Sequence, residues 1–263
     1  MVTTTHAPGT FCWPELTTTD QAGAEKFYGE LFGWKLAITP MGPDSHYTIF
    51  QKGENAVGAA AQMDPPQKSQ GMPSHWMSYV ATANVDASIE KAKKLGASVV
   101  AGPFDVMEHG RMAVLTDPTG AAFALWQANK HPGATAIDEE STLVWTELVT
   151  DDTKKAGAFY GDLFGWKQEA WPGPTPYTVF KRGDAQAGGL MAKTPEMGPN
   201  VPNHWMPYFG VANTEATVKK SESLGGTTIV PPMDVPNVGI MAVLKDPQGG
   251  HFSVMQFTAM PKG

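Results

Sequence analysis

Residues 13–34 read WPELTTTDQAGAEKFYGELFGW, and residues 145–166 repeat this stretch as WTELVTDDTKKAGAFYGDLFGW. The two copies align without a gap at a constant offset of 132 residues, from 13 to 145 and from 34 to 166. A match of this length indicates an internal duplication. The chain of 263 residues therefore contains two related halves, and each half is long enough to bury a core of its own.

Each copy of this stretch predicts one strand followed by one helix. Residues 11–17 alternate in polarity as a strand does, and Asp20 is a suitable N-cap for a helix over residues 21–31. Gly33 is placed to end that helix. Gly and Pro turns then separate three predicted strands at 34–38, 46–52 and 57–63.

The same order of elements recurs within the first half. A strand at 75–81 and a helix at 85–95 are followed by strands at 98–107, 110–116 and 121–127. The second half repeats this plan: HWMPY at 204–208 matches HWMSY at 75–79, and PYTVFKRGD at 176–184 matches HYTIFQKGE at 46–54. We therefore predict one domain over 10–127, a linker over 128–142 and a second domain over 143–258.

Composition restricts the class of protein. The hydrophobic content of 41% and the charged content of 17% are typical of a globular chain. The net charge of −7 argues against nucleic-acid and anionic-membrane partners, which select basic patches. Cys12 is the single cysteine, which excludes an intrachain disulfide and a cysteine-based zinc site. Because residues 1–10 lack signal-peptide features and no apolar run reaches membrane-spanning length, we expect a cytoplasmic protein.

Four strand–helix–three-strand modules, paired within each half, resemble the vicinal-oxygen-chelate superfamily. That superfamily includes glyoxalase I, extradiol dioxygenases and bleomycin-resistance proteins. The likeness is carried by the FY…LFGW runs at 27–34 and 159–166 and by the DPTG and DPQG turns at 117–120 and 246–249. The resemblance implies an α+β fold of two tandem glyoxalase-like domains. In each, a pair of βαβββ modules forms a cup-shaped sheet with the helices on its convex face and a ligand in its concave face.

The resemblance also implies a metal site, and this chain departs from it in both halves. Metal-dependent members hold Zn, Ni, Fe or Mn with His, Glu or Gln from the strands of the cup. The residues at the three corresponding positions are Trp13, Met77 and Ala124 in the first half, and Trp145, Met206 and Ser253 in the second. The indole of tryptophan cannot bind a metal, and the thioether of methionine is a poor ligand for a hard divalent ion. We therefore expect no metal and no other cofactor.

A displaced divalent metal site remains an alternative. Strand alternation places Glu15 on the face of Trp13 and His75 on the face of Met77. Gln62 could add a third donor in the first cup, but Ala192 stands at its position in the second half. Two donors make a weak site.

The candidate catalytic residues are Glu15 with His75 and Glu147 with His204, each pair a possible acid–base couple. The structural alternative is that the glutamates bond to the backbone or to water and that the histidines anchor strand entries.

The candidate ligand contacts are aromatic and apolar. Trp13 and Trp145 offer stacking surfaces for a planar molecule, although core packing is an equal alternative. Met77 and Met206 would supply adaptable apolar surface. Arg111 could attract an anion in one cup only, since Ile240 replaces it in the copy, although an exposed strand arginine is the commoner case.

These residues favour binding of a small, partly apolar molecule in aromatic cups without the family metal. The alternative is an enzyme, either a metal-dependent lyase, isomerase or dioxygenase or a metal-free Glu/His acid–base catalyst. A non-catalytic interaction protein is a third possibility, for which the sequence offers no special patch. Single-domain relatives dimerise, and here the second domain supplies that partner within one chain. The resemblance thus implies a monomer, although such a chain can also pair again into a homodimer.

Overall fold

A computed structural model describes residues 5–43, 45–173 and 175–258. Within these ranges the strands form two eight-stranded sheets, one in each half. The first half runs β1 (Phe11–Thr18), α1 (Gln21–Phe32), β2 (Lys35–Gly42), β3 (Ser45–Lys52), β4 (Asn55–Gln62), α2 (Pro65–Ser69), β5 (His75–Ala81), α3 (Val85–Lys94), β6 (Ser98–Val106), β7 (Gly110–Thr116) and β8 (Ala122–Ala128). The second half runs β9 (Leu143–Thr150), α4 (Thr153–Phe164), β10 (Lys167–Ala170), β11 (Tyr177–Arg182), β12 (Ala185–Ala192), a short 3-10 turn (Pro195–Met197), β13 (His204–Gly210), α5 (Thr214–Ser223), β14 (Thr227–Val235), β15 (Gly239–Lys245) and β16 (His251–Phe257).

The repeated stretch forms helices with the predicted ends. The Asp20 carboxylate accepts a hydrogen bond from the Gly23 N–H at 3.1 Å, which caps α1. Gly33 follows that helix in the left-handed conformation at φ 72°. In the copy, Asp152 caps α4 in the same way and Gly165 ends it at φ 73°. The helix and strand assignments made from the repeat are therefore confirmed.

Both sheets have the same strand order. The first runs β2-β3-β4-β1-β5-β8-β7-β6, and the second runs β10-β11-β12-β9-β13-β16-β15-β14. In the first sheet β1 pairs in parallel with β4 and antiparallel with β5, so the two modules meet at the centre. This topology confirms the α+β fold of two tandem units, each built from two βαβββ modules.

The helix-bearing faces of the two sheets pack against each other. From α1, the Phe27 ring lies 6.2 Å from Phe252 and the Phe32 ring lies 5.3 Å from Phe209, both centroid distances. A second cluster joins β8 to α4, with the Phe123 ring 5.5 Å from Tyr160. Each half has a buried cluster of its own on its cup face, but the two largest clusters are shared between the halves. Each of these two clusters draws residues from both halves, because α1 lies beside α5 and α3 lies beside α4.

A buried polar chain crosses this shared core. The Trp76 indole N–H donates to the Tyr28 hydroxyl at 2.9 Å, and that hydroxyl donates to Asp246 Oδ2 at 2.8 Å. Tyr28 belongs to the FY…LFGW run of the first half, and Asp246 belongs to the DPQG turn of the second. The two motifs that carry the family resemblance thus meet across the halves.

Residues 128–142, predicted as a linker, pack closely against both halves. Ala134 and Ala136 are fully buried. The Ala134 N–H donates to the Cys12 carbonyl at 2.7 Å, and Glu140 forms an isolated bridge with Gly210. No helix among the described residues is long and apolar enough to cross a membrane.

Candidate ligand-binding cups

Each sheet carries a separate buried cluster on the face opposite its helices. We call these surfaces the first cup and the second cup. The first cup is built around Cys12, Trp13, Ala59, Tyr79, Ala81, Ala124, Trp126 and Ala134, with Met77 and Tyr47 packed against them. The second cup is built around Val144, Met206, Tyr208 and Met255, with Trp145, Met241 and Phe257 packed against them.

A glutamate with two tyrosine partners lies in the first cup. The Tyr47 hydroxyl donates to Glu15 Oε2 at 2.5 Å, and the Tyr79 hydroxyl donates to Glu15 Oε1 at 2.9 Å. The Trp13 indole N–H donates to the Tyr47 hydroxyl at 3.3 Å. Both oxygens of a partly buried carboxylate are therefore held by neutral phenols.

The second cup repeats this cluster. The Tyr208 hydroxyl donates to Glu147 Oε1 at 2.8 Å, and the Tyr177 hydroxyl lies near enough to Glu147 to act on its pKa. The Trp145 indole N–H donates to the Tyr177 hydroxyl at 2.8 Å. The duplication has therefore kept one glutamate, two tyrosines and one tryptophan in each cup.

Strand register brings these side chains together. β1 carries Trp13 opposite Tyr79, and Glu15 is opposite both Met77 of β5 and Ala59 of β4. Side chains two residues apart on a strand share a face, so Trp13 and Glu15 point into the same cup.

The two cups differ at the residue opposite the glutamate on the neighbouring parallel strand. Gly189 faces Glu147, where Ala59 faces Glu15. A Cβ at Gly189 would overlap the Tyr177 hydroxyl and lie 2.9 Å from Trp145 Nε1. The second cluster therefore requires a glycine at this position.

Burial sets the electrostatics of both glutamates. Burial raises the pKa of Glu147 above its ordinary 4.5, against the opposing effect of the Tyr177 and Tyr208 hydroxyls. Burial likewise raises the pKa of Glu15, while its tyrosine partners and the nearby His75 act in the opposite direction. Within the described ranges, neither glutamate forms a salt bridge with a lysine or arginine.

The structure does not bring the predicted Glu/His couples into hydrogen-bond contact. His75 Nδ1 bonds the Pro73 carbonyl at 2.9 Å, and His204 Nδ1 bonds the Pro202 carbonyl at 2.8 Å. A carbonyl oxygen only accepts, so each Nδ1 carries the proton. Burial lowers the pKa of His204. His75 lies near enough to Glu15 to influence it electrostatically, and whether any of these residues is catalytic stays a prediction.

Of the predicted ligand contacts, Arg111 lies apart from the cup cluster. Its neighbour Met112 packs against the first cup, so strand alternation turns Arg111 to the opposite face. There its guanidinium bonds Asp86 at 2.9 Å and Asp105 at 3.0 Å. By contrast, Met206 is buried in the second cup beside Glu147, its partner in the strand register.

The sequence interpretation missed the tyrosines. Tyr79 follows Met77 by two residues, so alternation places both on one face, and Tyr208 follows Met206 in the same way. Tyr47 and Tyr177 occupy matching places in the HYTIF and PYTVF segments. Their occurrence in both halves was the available signal.

A surface cleft of about 400 Å³ lies beside the linker and shares Phe257 with the second cup. It is lined by linker residues Asp138, Glu139 and Glu140 together with Val211 and Phe257. Its lining does not include Glu15, Glu147 or their tyrosine and tryptophan neighbours.

The chain belongs to the glyoxalase/bleomycin resistance protein/dioxygenase superfamily, whose family model matches residues 10–125. A model of the glyoxalase-like domain matches residues 145–255. One relative is CFP32 of Mycobacterium tuberculosis, which carries the provisional name of a glyoxylase. It is 45% identical over 254 residues, covering 95% of this chain and 96% of that protein. The anthracycline biosynthesis protein DnrV of Streptomyces peucetius is 35% identical over 267 residues, covering 96% of this chain and 95% of that protein.

Solved structures share the fold at low sequence identity. The Mn(II)-bound glyoxalase from Novosphingobium aromaticivorans superposes with a TM-score of 0.66 at 13% identity, covering 96% of this chain and 83% of that one. The 2,3-dioxygenase LapB from Pseudomonas has a TM-score of 0.64 at 11% identity, with 96% and 93% covered. At these identities the likeness establishes the fold alone.

The residues of the cups do not fit the divalent metal that the family implies. The central row across β1, β5 and β8 is Trp13, Tyr79 and Ala124, because these residues are register partners. No group of three His, Cys, Asp or Glu side chains suited to a metal occurs in the described part of the chain. Gln62, the third donor of a displaced site, is held by the Gln21 N–H and the Thr18 carbonyl instead.

Proposed function

We propose that this protein binds a small, planar, partly apolar molecule in its cups. The observation that carries the proposal is the duplicated cluster of one glutamate, two tyrosines and one tryptophan in apolar surroundings. Ligand sites are mostly apolar surfaces with a few convergent polar groups, and each cup has this composition. The aromatic rings offer stacking surface, and the methionines adapt to the outline of the guest.

The relatives support a fused-ring aromatic ligand class. DnrV is named for anthracycline biosynthesis, and anthracyclines are planar polycyclic compounds. A ligand of that class would match the tryptophan and tyrosine rings of either cup. A hydroxyanthraquinone is therefore the first probe to use.

Isothermal titration calorimetry of the full chain with a hydroxyanthraquinone tests the proposal. We expect saturable binding that Trp13→Ala or Trp145→Ala weakens, by about tenfold or more for the cup in use. Ile38→Ala is the control, because Ile38 is 54% exposed and pairs with Thr48 on the helix side of the sheet. Absence of saturable binding by a panel of planar aromatic compounds would refute the proposal.

Metal-free acid–base catalysis is a second candidate function. The observation that favours it is a carboxyl group whose pKa is raised by burial, beside two phenolic hydroxyls, in each cup. Such a group could move a proton on a carbonyl-containing ligand. Glu15→Gln and Glu147→Gln would then abolish solvent-deuterium exchange at the carbon next to the carbonyl of a bound enolisable ketone while leaving its binding intact.

A further inference from the structure

The second cup holds a buried acid without a basic partner. Glu147 is 7% exposed, and its hydrogen-bond donor is the neutral phenol of Tyr208 at 2.8 Å. Among the described residues no lysine or arginine forms an ion pair with it. A buried carboxylate without an opposite charge is costly. Each of its oxygens has lone-pair capacity beyond one phenol bond, so the group can accept further donors.

The surroundings of Glu147 suit a cation in particular. Tyr208 donates a hydrogen bond to Glu147, and Trp145 donates one to Tyr177 in the same cup. Aromatic faces attract ammonium groups, and the attraction grows when the cation is desolvated. Met206 and Met255 add polarisable apolar surface for the body of such a molecule.

The first cup is less suited to a cationic guest. Its Glu15 already has His75 as an electrostatic neighbour, whereas Glu147 is influenced by its own burial and by the hydroxyls of Tyr177 and Tyr208. The linker also reaches its tryptophan: the His131 ring lies 4.7 Å edge-on from Trp13, and the Trp126 indole N–H donates to the His131 carbonyl at 2.9 Å. Trp13 is consequently 5% exposed, while Trp145 is only partly buried.

We infer that the second cup binds the protonated amine of a ligand with an apolar or aromatic body, the ammonium donating to Glu147 and lying against Trp145. The inference rests on the proposed function, which it deepens by assigning a charge to the ligand and a cup to the site. The ligand would supply the opposite charge that the folded chain does not provide.

Three probes that share one ring system separate charge from shape. Naphthylmethylamine is cationic at neutral pH, naphthylmethanol is neutral and naphthylacetate is anionic. Calorimetric titration of the full-length protein with each gives affinity and stoichiometry. We expect the amine to bind most tightly, at one molecule per chain, and Glu147→Gln to weaken it about tenfold or more. Glu90→Gln is the control, because Glu90 is 65% exposed on α3.

The possible outcomes distinguish this inference from the proposed function. Equal binding of the amine and the alcohol, with no effect of Glu147→Gln, would overturn the amine inference and leave aromatic binding intact. Weakening by Glu15→Gln in place of Glu147→Gln would overturn the assignment to the second cup. If none of the three probes binds, the amine inference is overturned, and the anthraquinone titration decides separately on the proposed function. Near-ultraviolet circular dichroism checks that each variant keeps its packing.

Discussion

At the scale of single residues, the cups depend on the glutamates and on the tyrosines that hold them. Glu147 is buried and Glu15 is partly buried, and the hydrogen bonds of both come from neutral groups. Their raised pKa means that the folded state holds a proton more tightly than the unfolded chain does. The stability that protonated Glu147 contributes is therefore fully present below about pH 4.5 and is lost as the pH rises through the folded pKa.

Glu147→Gln removes this dependence, since an amide does not ionise. We expect the free energy of unfolding of the variant, relative to the natural protein, to increase as the pH rises from about 4.5 towards neutrality, with a slope of at most about 1.4 kcal/mol per pH unit. Urea unfolding of both proteins across this pH range measures the difference. A constant difference, or a trend in the opposite direction, would contradict the ionisation account. Glu54→Gln, an exposed site, is the control.

Sequence reasoning found the glutamates and tryptophans of the cups but not their tyrosine partners. Trp13 and Glu15 follow from alternation along a single strand, which the sequence shows directly. The contact between Glu15 and Tyr47 joins residues 32 positions apart, and it depends on the register of β1 with β4 and of β4 with β3. No local pattern encodes that register. The Glu/His couples failed to form a hydrogen bond for a local reason, since each histidine bonds the proline carbonyl two residues before it.

At the scale of the elements, β12 shows how a strand adapts to the cluster above it. Gly188 and Gly189 interrupt a strand that otherwise carries side chains at every position. Glycine weakens a strand unless something approaches its backbone closely. Here the Tyr177 hydroxyl occupies the space that a Cβ at Gly189 would need. The matching residue of the first cup is Ala59, which does carry a Cβ.

Gly189→Ala should therefore destabilise the protein, although alanine has no greater conformational cost than glycine in a strand. We expect the Tyr177 hydroxyl to be displaced, its bond with Trp145 to be lost, and the free energy of unfolding to fall by about 1–3 kcal/mol. Urea unfolding gives that energy. Gly173→Ala is the matched control, because its Cβ would meet Trp171 at an ordinary 3.8 Å. A Gly189→Ala variant as stable as this control would show that the overlap is relieved without cost.

At the scale of the whole molecule, the sequence predicted the two units but not how they share their cores. The 132-residue repeat and the paired modules establish the number and type of domains. The partner of the α1 surface, however, is the β13–β16 side of the other half, a contact across nearly 200 positions that no periodicity indicates. Since both core clusters draw on both halves, we regard the two units as one cooperative body.

The polar chain between the halves tests this view through two matched tyrosines. Tyr28→Phe removes a buried hydroxyl that accepts from Trp76 and donates to Asp246, leaving both partners unsatisfied. Burial, and after it the nearby Asp117, raise the pKa of Tyr160. Tyr160→Phe removes the acceptor for Trp205, while Asp117 Oδ2 already lacks a hydrogen-bond partner in the described part of the chain. An unsatisfied buried group costs about 1–3 kcal/mol, so Tyr28→Phe should be the more destabilising change.

Urea unfolding followed by both tryptophan fluorescence and far-ultraviolet circular dichroism measures the two variants. We expect the two probes to report one coincident transition for each protein, shifted further by Tyr28→Phe than by Tyr160→Phe. Two separated transitions would show that the halves unfold independently in spite of their shared cores. An equal or greater loss for Tyr160→Phe would mean that the bond from Tyr28 to Asp246 contributes nothing to the joining of the halves. The asymmetry between two otherwise duplicated tyrosines thus measures what a single hydrogen bond across the pseudo-symmetric interface adds to the stability of the whole chain.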